Sequence, residues 1–133
     1  MTFSTRAMTD RDWEEIEYFH PSEFRAPKRM GFEFMQWLNR VRTRAGVAMA
    51  ITSSWRSKKQ NTTAGGVTDS AHMDEPLCEA VDIDPGNNEG RFRIVKAAMD
   101  EGCTRIGIYK NGSLHLDRTE EVRPAPRLWT VVK

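Results

Sequence analysis

A β-hairpin in the last third of the chain is the local structure that the sequence specifies most clearly. Two short runs, 105–109 and 113–117, alternate apolar and polar side chains around an Asn-Gly pair at 111–112. Asn-Gly is a strong signal for a tight hairpin turn, because both residues accept the positive φ that such a turn needs. In the second run, alternation turns the two leucines to one face and His115 and Asp117 to the other. The leucines need a core, so we expect His115 and Asp117 to face away from it or into a polar cleft.

The positions of the histidines indicate a metal-binding site. The chain has three histidines, and two of them, His72 and His115, lie in segments that also carry a carboxylate. Two neutral imidazoles and one carboxylate are a common ligand set for a catalytic zinc ion, with a fourth position left for water. These residue types therefore predict a small metallohydrolase.

Helical and strand patterns are interleaved along the chain, which predicts the α+β class. Helices are expected from Thr9 to about Tyr18, from Met30 to Ala45 and over 89–101, and further strands over 47–52 and 79–83. In the helix over 89–101, the apolar residues Phe92, Val95, Ala98 and Met99 share one face, which we expect to be buried. Residues 53–69 are polar and include two adjacent glycines, so they are expected to form a long loop.

Length and charge restrict the function classes. A chain of 133 residues predicts one domain over 1–133. Its 20 basic and 19 acidic residues give a net charge of +1, which does not call for nucleic acid or a membrane surface. No apolar run approaches the roughly 18 residues of a membrane span. The first 19 residues carry five acidic side chains and so lack the apolar segment of a signal peptide. We expect a monomer made in the cytoplasm.

Residues 51–57, 66–72, 80–83 and 105–117 form four segments. Taken in order, they resemble the zinc D-Ala-D-Ala carboxypeptidase family, which includes the L-Ala-D-Glu endopeptidases of phage lysins. Residues 51–57 are similar to the family's Ser-Gly-Tyr-Arg-Ser element, and residues 66–72 to the run into its first zinc histidine. Residues 80–83 are similar to the run around the acidic ligand, and residues 105–117 to the closing strands that carry the second histidine. Residues 19–24 and 129–130 are also similar, so the resemblance covers nearly the whole chain. It implies a Hedgehog/DD-peptidase-like fold, with a small antiparallel sheet and flanking helices.

The resemblance also implies roles for particular residues. His72, Asp82 and His115 would bind Zn²⁺, Arg56 would anchor the substrate and stabilise developing charge, and Ser70 would lie at the substrate or the acidic ligand. The implied substrate is the peptide stem of bacterial peptidoglycan, cut as by a carboxypeptidase or an endopeptidase. Action at the cell wall would then follow phage-assisted release or assembly into a virion.

The identity of the acidic ligand is open, because the spacing departs from the family pattern. His72 and Asp82 are ten positions apart, where the family usually has seven, so strict spacing would select Glu79. The strand pattern around Asp82 favours Asp82, with three residues inserted before it. Cys78, which lies between His72 and Asp82 in the sequence, is a further alternative, since a thiolate is a good zinc ligand.

The family's usual general base is also missing. Its positions, two or three residues before the second histidine, hold Ser113 and Gly112. Asp117 is the nearest acid, and we predict that it serves in catalysis, either as a base through a water molecule or by fixing the His115 imidazole. This departure leaves a second interpretation open, a non-catalytic zinc-containing module that binds the cell wall or belongs to a virion.

Overall fold

The computed structural model describes residues 2–63, 70–74 and 76–131. Within them, the helices are α1 (Asp10–Glu14), α2 (Phe32–Ala45), α3 (Lys58–Thr63) and α4 (Asn88–Asp100). The strands are β1 (Ala50–Ser53), β2 (Ala80–Asp84), β3 (Arg105–Tyr109), β4 (Leu114–Asp117) and β5 (Arg127–Val131). Short 3₁₀ helices cover Pro21–Glu23, Pro27–Arg29 and Ala71–Met73. This content confirms the α+β class. None of the described helices has the length and apolar character needed to cross a membrane.

One sheet carries the strands in the order β1-β2-β4-β3-β5. The predicted hairpin forms from β3 and β4, and β4 pairs with β2 on its other side, both antiparallel. The outer pair of β3 and β5 is parallel, so the sheet is mixed. Asp82 of β2 and Gly107 of β3 both lie directly opposite His115 of β4. The strand pairing therefore brings these three positions into one row across the sheet.

The apolar core lies on the face of the sheet opposite the Asp82 and His115 side chains of this row. Leu114 and Leu116 of β4 are fully buried with Val81, Ile83 and neighbouring side chains of the core. Helix α2 contributes a stripe of buried side chains to the same core, which includes Met35, Leu38 and Val41. It ends at Gly46, whose φ of 68° is the left-handed conformation that favours glycine at a helix C-terminus.

The helix predicted over 89–101 is present as α4, but the prediction of its buried face was only partly right, since Ala98 is buried and Val95 packs against the core while Phe92 and Met99 do not. Ile94, Ala97 and Ala98 are buried, whereas Phe92 and Met99 are 67% and 48% exposed. Helix α4 packs against α2. Alanine side chains are small and permit a close approach between α2 and α4. The alanines of α4 therefore lie in the buried face, and the larger Phe92 and Met99 lie outside it.

The long loop predicted over 53–69 is also partly wrong, because its middle forms α3. The Ser57 hydroxyl accepts a hydrogen bond from the Gln60 backbone N–H at 3.2 Å, and the Gln60 side chain accepts one from the Ser57 N–H at 2.9 Å. This reciprocal pair is a helix-starting signal that the polar composition concealed. The rest of the predicted loop, residues 64–69, lies outside the described residues.

Helix α1 begins after Thr9 as predicted, with Thr9 and Asp12 forming a capping box. It is shorter than predicted, since it ends at Glu14 rather than near Tyr18. The Tyr18 backbone N–H donates instead to the side chain of Asn39 on α2, at 3.0 Å. A tertiary contact has therefore replaced the last helical turn.

Candidate metal centre

Three of the side chains singled out in the sequence converge in the structure. Nε2 of His72 lies 3.1 Å from Oδ1 of Asp82, and Nδ1 of His115 lies 3.1 Å from the same oxygen. The two histidine nitrogens are 3.2 Å apart. All three side chains are buried, and their ligand atoms lie within 4.8 Å of one another. Such a group could hold a metal ion.

Strand pairing and a short helix place these side chains. Asp82 and His115 face each other across β2 and β4. His72 comes from the 3₁₀ helix Ala71–Met73, whose first N–H groups are capped by Ser70; the Ser70 hydroxyl accepts a hydrogen bond from the His72 N–H at 3.2 Å. The contact observed for Ser70 thus positions His72, while its expected contact with substrate stays a prediction.

Hydrogen bonds on the far side of each imidazole set the ring orientation. Nδ1 of His72 lies 2.6 Å from the carbonyl oxygen of Ser54, which can only accept, so this nitrogen carries the proton and Nε2 is free to ligate. Burial lowers the pKa of His72 and outweighs the opposing effect of the Asp82 carboxylate, so the neutral ring is favoured. Nε2 of His115 lies 2.7 Å from Oδ2 of Asp117, which leaves Nδ1 facing the cluster.

Asp82 is held as a carboxylate. Burial alone would raise its pKa, but its contacts with His115 and His72 outweigh burial and keep the pKa well below its usual range. Its Oδ1 also accepts a hydrogen bond from the Tyr109 hydroxyl at 2.9 Å, and its Oδ2 accepts one from Nη2 of Arg56 at 2.9 Å. The cluster therefore contains a permanent negative charge.

Asp117 is fully buried, and both of its oxygens have partners. Oδ2 faces His115, and Oδ1 accepts from Nε of Arg105 at 2.8 Å and from the hydroxyl of Thr119 at 2.7 Å. Burial disfavours its ionisation, but the bond to His115 and the other contacts lower its pKa below the usual range. These contacts are those expected of a residue that fixes an imidazole. The alternative role of Asp117 as a base stays a prediction.

The alternative ligands lie elsewhere among the described residues. Oε2 of Glu79 accepts a hydrogen bond from the backbone N–H of Ser4 at 2.7 Å, and Glu79 is not part of the histidine cluster. The thiol of Cys78 points to the carbonyl of Ala80, 3.5 Å away, and burial raises its pKa to about 12. Cys78 and Cys103 are both unpaired and buried.

Arg56 lies beside the cluster, and its guanidinium donates to three acceptors. Nε bonds Oγ of Ser53 at 3.0 Å, Nη1 bonds Oδ1 of Asn61 at 3.2 Å, and Nη2 bonds Asp82. Its backbone N–H donates to the carbonyl of His72 at 2.8 Å. A cleft of about 670 Å³ opens here and is lined by Glu23, Arg25, Thr52, Ser53, Ser54, Arg56, Gln60 and Asp82.

Sequence reasoning missed Arg105 and Tyr109 in this neighbourhood. Arg105 and Tyr109 contact Asp117 and Asp82, and alternation along β3 could have placed them on the same face as His115. The ring of Trp129 lies 5.4 Å from that of His115. Its position depends on the register of the parallel β3–β5 pair, which no local pattern indicates.

A buried group of two imidazoles and a carboxylate, set on a small mixed sheet beside an arginine, defines a candidate metal-dependent hydrolase. The model of the family described as Peptidase M15 matches residues 11–117. The chain belongs to this family of zinc metallopeptidases, of the D-Ala-D-Ala carboxypeptidase type, which confirms the family that the motifs resemble. A comparison with curated proteins found no match to the chain.

Proposed function

We propose that this chain is a zinc-dependent peptidase that hydrolyses peptide bonds in the stem peptides of bacterial peptidoglycan. In this proposal His72, Asp82 and His115 are the zinc ligands. The observation that carries it is the convergence of Nε2, Oδ1 and Nδ1 of these residues beside a cleft that Arg56 also lines. Family membership supports a metallopeptidase, and the resemblance to peptidoglycan peptidases supports this substrate class.

The chemistry of the donor atoms fits zinc. Two imidazole nitrogens and one carboxylate oxygen are typical of catalytic sites that keep a fourth position for water. The bonds from His72 to Ser54 and from His115 to Asp117 leave the cluster-facing nitrogens available. When bound, zinc supplies an activated water at neutral pH and polarises the carbonyl that is attacked.

Other residues of the chain would then have separate tasks. Arg56 is positioned to donate to the carbonyl oxygen of the scissile bond, where negative charge develops. Tyr109 orients the carboxylate of Asp82 through its hydroxyl. Both oxygens of Asp117 are already engaged, which favours a role in orienting His115 over a role as general base.

Two finer features belong to the same proposal. The bond that is cut is of the D-Ala-D-Ala carboxypeptidase or the endopeptidase type. The resemblance to phage lysins supports a phage or prophage protein that acts on the wall during lysis or from the virion.

The test combines zinc content with peptidoglycan digestion. Wild type, His115→Ala and His20→Ala are purified without chelator and analysed for zinc; His20 is an exposed control outside the cluster. We expect near-stoichiometric zinc in wild type and His20→Ala and its loss in His115→Ala. Mass spectrometry should find released peptide fragments only for the two zinc-containing proteins. Zinc-loaded wild type that releases no fragments at any pH would contradict the proposal.

A second candidate function is a zinc-containing module that binds the cell wall without cutting it. The observation that favours it is the pair Gly112 and Ser113, which leaves the family's base positions without an acid. Stoichiometric zinc and saturable binding to peptidoglycan, without fragment release, would support this candidate over the enzyme.

A further inference from the structure

The cleft beside the metal cluster contains two arginines in different situations. The side chain of Arg56 is 13% exposed, and its three donor nitrogens all have acceptors. Arg25 is exposed, and its guanidinium makes no hydrogen bond or ion pair with any residue in the described ranges. Among the described residues that line the cleft, Arg25 is therefore the arginine whose guanidinium is not already held by protein acceptors.

The backbone of Arg25 is nevertheless tied to the metal cluster. Its N–H donates to Oγ of Ser54 at 3.2 Å, and the carbonyl of the same serine accepts the Nδ1–H of His72 at 2.6 Å. The preceding residue, Phe24, is buried with its ring 5.0 Å from that of Trp13. One buried serine thus links Arg25 to a proposed zinc ligand, so the base of the Arg25 side chain has a defined position relative to the reacting centre.

The acidic residues of the cleft do not neutralise Arg25. Asp82 is engaged by Arg56, Tyr109 and the two histidines. Oε2 of Glu23 accepts the backbone N–H of His20 at 2.7 Å and so caps the 3₁₀ helix Pro21–Glu23. A guanidinium without such a partner offers paired N–H groups whose geometry matches a carboxylate.

We infer that Arg25 is a specificity-determining residue, which binds a free carboxylate of the peptide substrate and not the carbonyl that is attacked. Arg56 would serve the carbonyl that is attacked, and Arg25 would select among peptides by charge. The inference rests on the proposed function, because it presupposes a peptide in the cleft. It defines the substrate class more closely. The protein should prefer a peptide with a free carboxylate to the same peptide with that carboxylate amidated.

The test compares two synthetic stem peptides that differ only in one group, a free or an amidated α-carboxyl on the D-glutamyl residue. The proteins are wild type, Arg25→Gln, Arg25→Lys and Lys28→Gln. Lys28 is a matched control, since it is an exposed cation three residues on that pairs with Asp10 at 3.3 Å and does not line the cleft.

The readout is the ratio of kcat/KM for the acidic peptide to that for the amidated one. A charge-assisted hydrogen bond predicts a ratio of about 10 or more for wild type and Lys28→Gln. Arg25→Gln should bring the ratio close to 1, and Arg25→Lys should keep part of it. A wild-type ratio retained in Arg25→Gln would overturn the inference, and so would an equal loss on both peptides, which would indicate a structural effect.

A binding measurement separates this inference from the proposed function. Zinc-free wild type and Arg25→Gln, prepared with a chelator, are titrated with both peptides in a calorimeter. Since no hydrolysis occurs, this experiment gives the preference for the acidic over the amidated peptide as a ratio of two Kd values. If zinc-loaded wild type cuts neither peptide, the proposed function fails, and the Kd ratio still decides the role of Arg25. Equal affinity of zinc-free wild type for the two peptides would overturn that role even if both are cut.

Discussion

Nε2 of His115 lies 2.7 Å from Oδ2 of Asp117, a carboxylate with no exposed surface. Because Asp117 in turn accepts hydrogen bonds from Arg105 and Thr119, the imidazole has one available orientation. That orientation directs Nδ1 to Asp82 and His72. The relationship is the one by which metal-ligating histidines are commonly fixed and made more basic.

Asp117→Asn should therefore weaken zinc binding by about 10- to 100-fold, because it removes the charge that supports the ligand. Zinc affinity measured by competition with a chelator checks this, with Asp100→Asn as a surface control that breaks only an ion pair to Lys96. Activity should recover when zinc is added in excess. A variant that keeps wild-type zinc affinity but loses hydrolysis would instead identify Asp117 as the base.

Glu79→Gln should make the protein more stable at neutral pH than wild type. Burial raises the pKa of Glu79 despite its hydrogen bonds from Ser4, so the ionised form costs stability in the folded state. That cost develops as the pH rises from about 4.3, the pKa of a glutamate in the unfolded chain, through the raised pKa of Glu79 in the folded protein. Glutamine keeps an acceptor for the Ser4 N–H. Urea unfolding of zinc-free protein at several pH values should give a variant-minus-wild-type difference that grows with pH. A constant difference would contradict the prediction.

The same variant distinguishes the two candidate acidic ligands. Glu79→Gln should retain the zinc content of wild type, because Glu79 bonds the N-terminal segment rather than the histidines. Asp82→Asn, an equally conservative change, should lose most of the zinc. Elemental analysis of both proteins after identical purification provides the comparison. The reverse pattern would show that strict family spacing, and not the strand pattern, locates the ligand.

Arg56→Ala should lower kcat/KM by about 10²- to 10³-fold, as expected when a donor to a developing oxyanion is removed. Zinc content should stay near that of wild type, since Arg56 contacts Asp82 through Oδ2 and not through the oxygen near both histidines. Arg93→Ala, at an exposed position on α4, is the control. If Arg56→Ala also loses zinc, its main task is to hold Asp82 in place.

Gly107→Ala should destabilise the protein by about 1–3 kcal/mol through overpacking. A Cβ at this position would lie 2.6 Å from Nε1 of Trp129 and 2.7 Å from its Cε2, so the indole must shift from its place beside His115. Thermal unfolding measures the effect. Replacing Trp129 by valine in the same background should remove the conflict, so the two changes should cost less together than the sum of each alone.

Local pattern was enough for much of the framework. The alternation of 113–117 and the Asn-Gly turn predicted the hairpin, and the structure contains it. The same alternation predicted that His115 and Asp117 share a face, and in the structure these two side chains contact each other. Helix α2 and its end at Gly46 also follow from spacing and glycine chemistry. Each of these features depends on residues within a few positions of one another, so one chain suffices to predict it.

The candidate site itself depends on contacts that no local pattern contains. His72 and His115 are 43 positions apart, and only the pairing of β2 with β4 sets Asp82 between them. The buried face of α4 was partly mistaken for the same reason, because the approach of α2 decided it. Arg25 lines the cleft beside Ser54, to which its backbone N–H donates and which is 29 positions away in the sequence. Sequence by itself determined which side chains could do the chemistry and where α2, α4 and the β3–β4 hairpin lie. Tertiary structure decided which of them meet, since burial and strand register act between segments that are far apart along the chain.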